Sequence, residues 1–191
     1  IDEISLKGNH NLENALFIIG TGKILNIPNE VIAQFLKTTK ALEHRLENFF
    51  LKKNTLFVND SKGTNVESTI KAIEAFKNKI ILIAGGENKK ICNDELIKKI
   101  NERVGFVYLI GETGAILAEE MEKIGYKKYK NLGTLEKVLV DIKENLDFED
   151  SQTILFSPAT ASFDQFKNFE ERGKIFKELT NKILRENQIE R

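Results

Sequence analysis

The sequence predicts an α/β fold: a mostly parallel sheet with helices on both faces. Two observations carry this. Short apolar runs at residues 80–84 and 106–110 alternate with longer amphipathic stretches, and glycines at Gly85-Gly86 and Gly111 end those runs. Strands that are apolar throughout belong in a sheet buried on both sides, and the intervening helices supply the cover. A chain of 191 residues has room for one well-packed domain of this kind plus an appendage.

Residues 1–40 stand apart from the rest. Leu12, Ala15, Leu16, Ile18 and Ile19 mark one helix, with Asn11 placed to cap it. Pro28 suits a helix start, and Val31, Ile32, Phe35 and Leu36 give the next helix its apolar stripe. Both helices have apolar faces but no strand of their own to cover. Residues 1–40 are therefore expected to be the tail of another domain, with 37–41 as linker. The opening Ile1, in place of Met, leads us to expect a piece of a longer protein.

From 41 to 191 strands and helices alternate. A hairpin is expected from 46–50 and 55–59, turning at Lys53-Asn54. A helix over 66–76 precedes the strand at 80–84, and a helix over 94–101 precedes the strand at 106–110. Helices over 114–124 and 135–146 follow, then a last strand at 153–156. A final helix is expected from about Phe163, because Phe166, Phe169, Phe176, Leu179 and Ile183 fall at helical spacing. The result is a doubly wound, Rossmann-like domain.

Acidic and basic side chains balance at 29 each. No global field recruits nucleic acid or an anionic membrane, so any phosphate site must be local. The apolar runs are too short to span a bilayer, and residues 1–10 lack the apolar centre of a signal peptide. Cys92 is the single cysteine, so no internal disulfide can form and a reducing, cytoplasmic setting is expected. His10 and His44 are the only histidines, which leaves no metal-ligand spacing and no expected protein-caged metal.

In open parallel sheets, ligands sit beyond the carboxyl ends of the strands, where helix N-termini turn N–H groups outward. Three motifs fall there. Asn59-Asp60-Ser61-Lys62-Gly63-Thr64-Asn65 groups a carboxylate, two hydroxyls and an ammonium. Asp60 could bond a nucleotide or help place a metal, and Lys62 and Thr64 could meet a carboxylate or phosphate. The plainer reading is a helix cap by Ser61 or Thr64 with Lys62 in solvent, and spacing alone favours it. Gly85-Gly86-Glu87-Asn88-Lys89 is a tight turn with Lys89 as a point charge suited to a carboxylate. A Gly-Gly strand end needs no ligand to explain it, however. The phosphate-loop spacing Gly-x-x-x-x-Gly-Lys-Ser/Thr is absent, and Gly111-Glu112-Thr113-Gly114 is no dinucleotide fingerprint.

Ser157-Pro158-Ala159-Thr160-Ala161-Ser162 is the most pointed of the three. Pro158 stops the strand, the alanines allow close approach, and Ser162 brings a hydroxyl and N–H groups to a helix start. A purely structural reading makes Ser162 a cap and the phenylalanines after it core. Arg45, beside His44, could reach a phosphate or equally lie on the surface beside the hairpin.

Read in order, five segments resemble the Mur ligase family over nearly the whole chain. They are Gly8-Asn9-His10-Asn11-Leu12-Glu13-Asn14, Leu42-Glu43-His44-Arg45-Leu46-Glu47, the Asp60 and Gly85 motifs, and the run from Ser157 to Gly173. The last run resembles the D-glutamate-adding branch of that family. The resemblance implies a cytoplasmic, monomeric, three-domain amide ligase of peptidoglycan synthesis working through an acyl phosphate. This chain would supply its C-terminal domain (41–191) after the helical tail (1–40) of the central ATP-binding domain. ATP, Mg2+, UDP-N-acetylmuramoyl-L-alanine and D-glutamate are the implied cofactors and partners, with ATP and Mg2+ held mainly by the central domain.

The same resemblance implies Lys62 as the catalytic residue facing the reacting phosphate. Thr64, Lys89, Ser162, Phe163 and Phe169 would form the D-glutamate pocket, and Asn11, Asn14, Arg45 and Asp60 would contact the nucleotide. His10 falls in the hinge-side motif, and no metal ligand is implied. Two positions depart from the family pattern: Glu43 stands where proline is usual, and Thr160 where cysteine is usual. Without the central domain's phosphate loop and metal-binding groups, this chain alone is expected not to ligate. The rival readings are a non-catalytic anion-binding module of the same fold and a folylpolyglutamate-type amide ligase. The closing run argues against the latter.

Overall fold

The computed structural model describes residues 9–39, 42–88 and 93–185, with side chains from Asn14 onward. The chain divides into two compact units, Ile1–Leu42 and Glu43–Arg191.

The first unit contains α1 (Asn9–Ile24) and α2 (Asn29–Thr38). Asn9 and His10 are already helical, so Asn11 lies within α1 and does not cap it. The second helix starts directly after Pro28, whose carbonyl accepts from the N–H groups of Val31 and Ile32. Proline has no N–H to lose at that point, and its fixed φ suits the first turn. Lys37 and Thr38 are helical, so the linker expected over 37–41 begins inside α2. The Thr38 and Thr39 hydroxyls prolong its last turn by donating to the Gln34 and Phe35 carbonyls. Ala15 and Ile32 are buried, whereas Leu16, Phe17, Ile24, Leu25, Val31 and Phe35 are exposed.

In the second unit a hairpin of β1 (Glu47–Lys52) and β2 (Thr55–Asn59) leads into α3 (Val66–Glu74) and β3 (Lys79–Gly85). Next come α4 (Asp94–Arg103), β4 (Val104–Ile110), α5 (Thr113–Lys123), β5 (Tyr129–Gly133), α6 (Leu135–Asn145), β6 (Gln152–Phe156) and α7 (Phe169–Leu184). The sheet order is β1-β2-β6-β3-β4-β5. Every pairing is parallel except the β1–β2 hairpin. Successive side chains of a strand point to opposite faces, and the two cores follow that period. Val58, Ile80, Leu82, Ala84, Val107, Leu109 and Leu155 pack one face with Ala72, Ile73, Leu96, Ile100, Leu117 and Met121. Phe57, Ile81, Ile83, Tyr108, Ile110, Ile154 and Phe156 pack the other with Leu135, Val138, Leu139, Ile142, Phe176 and Leu184. The expected α/β class, with its mostly parallel sheet and helices on both sides, is the observed one.

Two elements differ from expectation. Strand β5 was not foreseen: Tyr129-Lys130-Asn131-Leu132-Gly133 lies at the sheet edge and is only half-buried, so it lacks an apolar run. Helix α7 starts at Phe169 instead of about Phe163. Ahead of it the Ser162 carbonyl accepts from the N–H groups of Gln165 and Phe166, which closes a turn. Asn168 then caps the helix by accepting from the Glu171 N–H at 2.7 Å. The Asn-Phe-Glu-Glu spacing was the legible signal for that cap.

Candidate functional site at the carboxyl ends of the strands

Strand β6 returns to lie between β2 and β3. The chain therefore reverses its order across the sheet at this point, and the carboxyl ends of the three strands stand side by side. Crevices at such switch points are where doubly wound sheets bind ligands. The motif turns after β2, β3 and β6 meet here.

The turn after β2 is built on Asp60, which is only 4% exposed. Its Oδ1 accepts the Leu46 N–H at 3.2 Å and its Oδ2 accepts the Ser157 hydroxyl at 2.6 Å. Thr69 lies 2.9 Å from the same Ser157 Oγ. Oδ2 thus ties the β2 turn to the β6 turn, while Oδ1 holds the chain entering β1. Burial pushes its carboxyl up from 3.8 to about 6, against the hydrogen bonds from Ser157 and Leu46 and the charges of Arg45 and Arg172. An acid raised on folding binds more protons in the native state than in the unfolded chain between about pH 4 and 6. Stability from this group is therefore greatest at the acid end, falls as pH rises through that window, and is level above it. Asp60→Asn is expected to remove this slope, which spans up to about 3 kcal/mol. Urea unfolding of both proteins from pH 4 to 7 checks it; equal slopes would overturn it.

Lys62 is exposed, and its N–H donates to the His44 carbonyl at 3.0 Å. Its Nζ stands 5.9 Å from the centre of the Phe169 ring. Ser61 donates its hydroxyl to the Phe169 carbonyl at 2.8 Å. Thr64 is half-buried beside them, with its N–H on the Lys62 carbonyl at 2.8 Å. Neither Ser61 nor Thr64 caps the following helix. Asn65 does, accepting from the Ser68 N–H at 2.8 Å.

Ser162 is buried at 2% exposure and precedes the turn that leads to α7, so it does not itself open a helix. Phe163 is 62% exposed and Phe169, half-buried, is the first residue of α7. The first N–H groups of a helix have no partner within it, so Phe169 offers one at this rim. Arg45 is exposed at the start of the second unit. Asn11 and Asn14 lie one turn apart on α1 in the first unit. Lys89 lies outside the described residues.

One residue that sequence reasoning left without a role holds these turns in place. Arg172, on α7, is fully buried. It makes four hydrogen bonds: Nε to Ser61 Oγ at 3.0 Å, Nη2 to the Ser61 carbonyl at 2.8 Å, and Nη1 to the Thr160 and Ala161 carbonyls at 3.0 and 3.1 Å. Burial pulls its guanidinium down to about 10, with Asp164 and Asp60 opposing, so it stays cationic at neutral pH. The fork geometry lets one cation satisfy the β2 and β6 turns together. His44 has a structural role that its place in the sequence does not signal. It is buried, and its Nδ1 accepts from the Asn59 side-chain amide at 2.9 Å.

Glu43, His44 and Glu47 are the one group among the described residues whose atoms could surround a metal ion. Most of their ligand atoms are already engaged, and the Lys177 ammonium supplies the positive charge between the two carboxylates. Lys177 Nζ lies 2.7 Å from Glu43 Oε1 and 2.8 Å from Glu47 Oε1, and Glu47 Oε2 accepts from the His44 N–H and from Asn59. Mg2+ therefore does not fit this cluster. A surface depression is lined by Glu122, Lys127, Tyr129, Lys130 and Asn131, along β5 at the sheet edge. Its polar groups serve the fold: Lys130 pairs with Asp141, and Tyr129 donates to Glu122.

No helix among the described residues is long and apolar enough to cross a membrane. The fold is shared with UDP-N-acetylmuramate-alanine ligase MurC from Thermotoga maritima, at TM-score 0.65 and 14% identity over 92% of this chain and 38% of that one. MurF from Acinetobacter baumannii aligns at TM-score 0.66 and 17% identity, over 93% and 39%. The UDP-N-acetylmuramoylalanine–D-glutamate ligase of Fusobacterium nucleatum is 45% identical over 186 residues, 96% of this chain and 43% of the relative. The Caldicellulosiruptor bescii protein of the same name is 41% identical, over 96% and 40%. The chain thus spans about two fifths of the length of these relatives. A family model described as "Mur ligase, glutamate ligase domain" matches residues 44–160, which contain the strands, the β2 and β3 turns and the β6 turn as far as Thr160. The chain belongs to the Mur ligase family, in its glutamate ligase domain.

Proposed function

We propose that this chain is the acceptor-amino-acid domain of an ATP-dependent ligase that joins D-glutamate to UDP-N-acetylmuramoyl-L-alanine. Residues 1–40 would be the helical tail of its ATP-binding domain and 41–191 its C-terminal domain. The names of the relatives support the reaction. The observation that carries the site is the meeting of two turns far apart in sequence, where Lys62 stands over the Phe169 ring and Ser61 holds the Phe169 carbonyl.

In this reaction ATP phosphorylates the carboxylate of the nucleotide-sugar substrate, the amine of D-glutamate attacks, and phosphate leaves. Lys62 puts a mobile positive charge on the rim, where it can follow negative charge developing on phosphoryl oxygens. The Phe169 N–H, the Ser162 and Thr64 hydroxyls and Lys89 are the groups for the two carboxylates of D-glutamate, since helix N-termini and ammonium groups both favour anions. Phe163, exposed next to Ser162, is assigned to the same pocket. Arg45, Asn11 and Asn14 are assigned to the nucleotide, and Asp60 to holding the turn that faces it. The phosphate loop and Mg2+ belong to the ATP-binding domain in this reading.

The test is phosphate release by the full-length ligase with ATP and UDP-N-acetylmuramoyl-L-alanine, comparing D-glutamate, L-glutamate and diaminopimelate. Release with D-glutamate alone is expected, lost in Ser162→Ala and Lys89→Ala, and absent from the 191-residue chain by itself. Release with another amino acid would discard D-glutamate. None with any of them would favour the anion-binding module.

A further inference from the structure

The loop between β6 and α7 carries Ser162 at one end and meets Phe169 at the other. On its inner side it is pinned to the β2 and β3 turns. The Ala159 N–H donates to the Gly63 carbonyl, the Gly85 N–H to the Pro158 carbonyl, and the Glu87 N–H to the Ala161 carbonyl. On its outer side the structure offers a different device. Asp164 Oδ2 accepts the Glu112 N–H at 3.2 Å, reaching the turn after β4. The neighbouring Gln165 donates its side-chain amide to the Gly133 carbonyl at 2.8 Å, at the end of β5.

The packing around this link is tight. Gly111 has φ 67, and a Cβ there would collide with Asp164 Oδ2 and come within 2.6 Å of the Gly86 Cα. The β3, β4 and β6 turns therefore converge on one point, and glycine is needed to let them. Thr113 locks the first two by accepting from the Gly86 N–H at 2.9 Å and donating to its carbonyl at 3.1 Å. Burial raises the Asp164 carboxyl above its ordinary value, against the N–H groups of Glu112, Asp164 and Gln165. A carboxylate half-covered in this way is a costly choice for a mere turn residue.

We propose that Asp164 is a positioning residue for the acceptor pocket: it clamps the Ser162–Phe169 loop to the β4 turn and so sets where the Ser162 hydroxyl and the Phe169 N–H stand. This rests on the reading that the rim holds the acceptor amino acid. Asp164 acts through the loop and does not touch the substrate. Asparagine at this position keeps an oxygen for the Glu112 N–H, whereas alanine keeps none.

The test uses steady-state kinetics of the full-length ligase together with amide exchange in the 191-residue chain. Asp164→Ala is expected to raise KM for D-glutamate about tenfold, short of the roughly hundredfold that a displacement of a whole ångström can cost. KM for ATP stays where it was, and Asp164→Asn restores most of the loss. Should Asp164→Ala fail to fold, Gln165→Ala, which frees the same loop at Gly133, carries the same expectation. An unchanged KM for D-glutamate, or equal rises for all three substrates, overturns the proposal. Exchange of the Glu112 amide separates this failure from failure of the functional reading. If exchange is slow in the parent and fast in Asp164→Ala, yet D-glutamate is no substrate, the clamp stands and the assigned function falls.

Discussion

Arg172→Ala is expected to cost about 3–5 kcal/mol of folding stability, because it removes a buried cation that satisfies both turns of the site. Alanine leaves the Ser61 and Thr160 carbonyls without their guanidinium donor and the Ala161 carbonyl with the Glu87 N–H alone. Each is buried where water has little access, so the loss is that of unmade hydrogen bonds as well as of packing. For a domain of this size the corresponding fall in Tm is roughly 6 to 20 °C. Arg172→Lys is expected to recover only part, since one ammonium cannot span the Ser61 and Thr160 carbonyls as a planar fork does. Urea unfolding measures both. A loss below about 1 kcal/mol for alanine would mean the turns hold without the guanidinium.

The second large effect is on chemistry and leaves the fold alone. Lys62→Ala in the full-length ligase is expected to lower kcat and kcat/KM together by about 10² to 10³, the scale of losing one charge-stabilising group. Lys62 is exposed, and its backbone bond to the His44 carbonyl survives the substitution. Stability is therefore expected to change by only about 0.5–1 kcal/mol, the worth of its exposed contact with the Phe169 ring. This separates it from Arg172→Ala, which moves stability first. A Lys62→Ala enzyme with unchanged kcat would remove Lys62 from the reaction. A raised KM for D-glutamate with normal kcat would make it a binding group instead.

Much of the fold was legible because the signals are local. The hairpin at Lys53-Asn54, the apolar strands and the glycines ending them reflect turn chemistry and side-chain period within a few residues. The edge strand β5 was hidden because half of it faces solvent, and Lys130 and Asn131 break any apolar pattern. The start of α7 was misplaced because Phe163 and Phe166 share the spacing of the later phenylalanines while belonging to a turn. The candidate site shows the same division. Lys62, Thr64, Ser162 and Phe169 announce themselves through motifs at strand ends. Arg172 does not: between Glu171 and Lys174 it reads as one more solvated helix charge.

Local pattern suffices for the α/β class, for nearly every element and for the grouping of polar residues into turns after β2, β3 and β6. Packing of the whole sheet decided that β6 lies between β2 and β3, which brings those turns together. It also decided that Asp60 is buried against Ser157, that Arg172 lies beneath the Ser61 and Thr160 turns, and that Asp164 reaches Glu112. The difference is one of range: propensity and periodicity act over a turn or two, whereas burying a charge depends on partners from elsewhere in the chain, 52 residues away for Asp164 and 111 for Arg172, and only packing shows which they are.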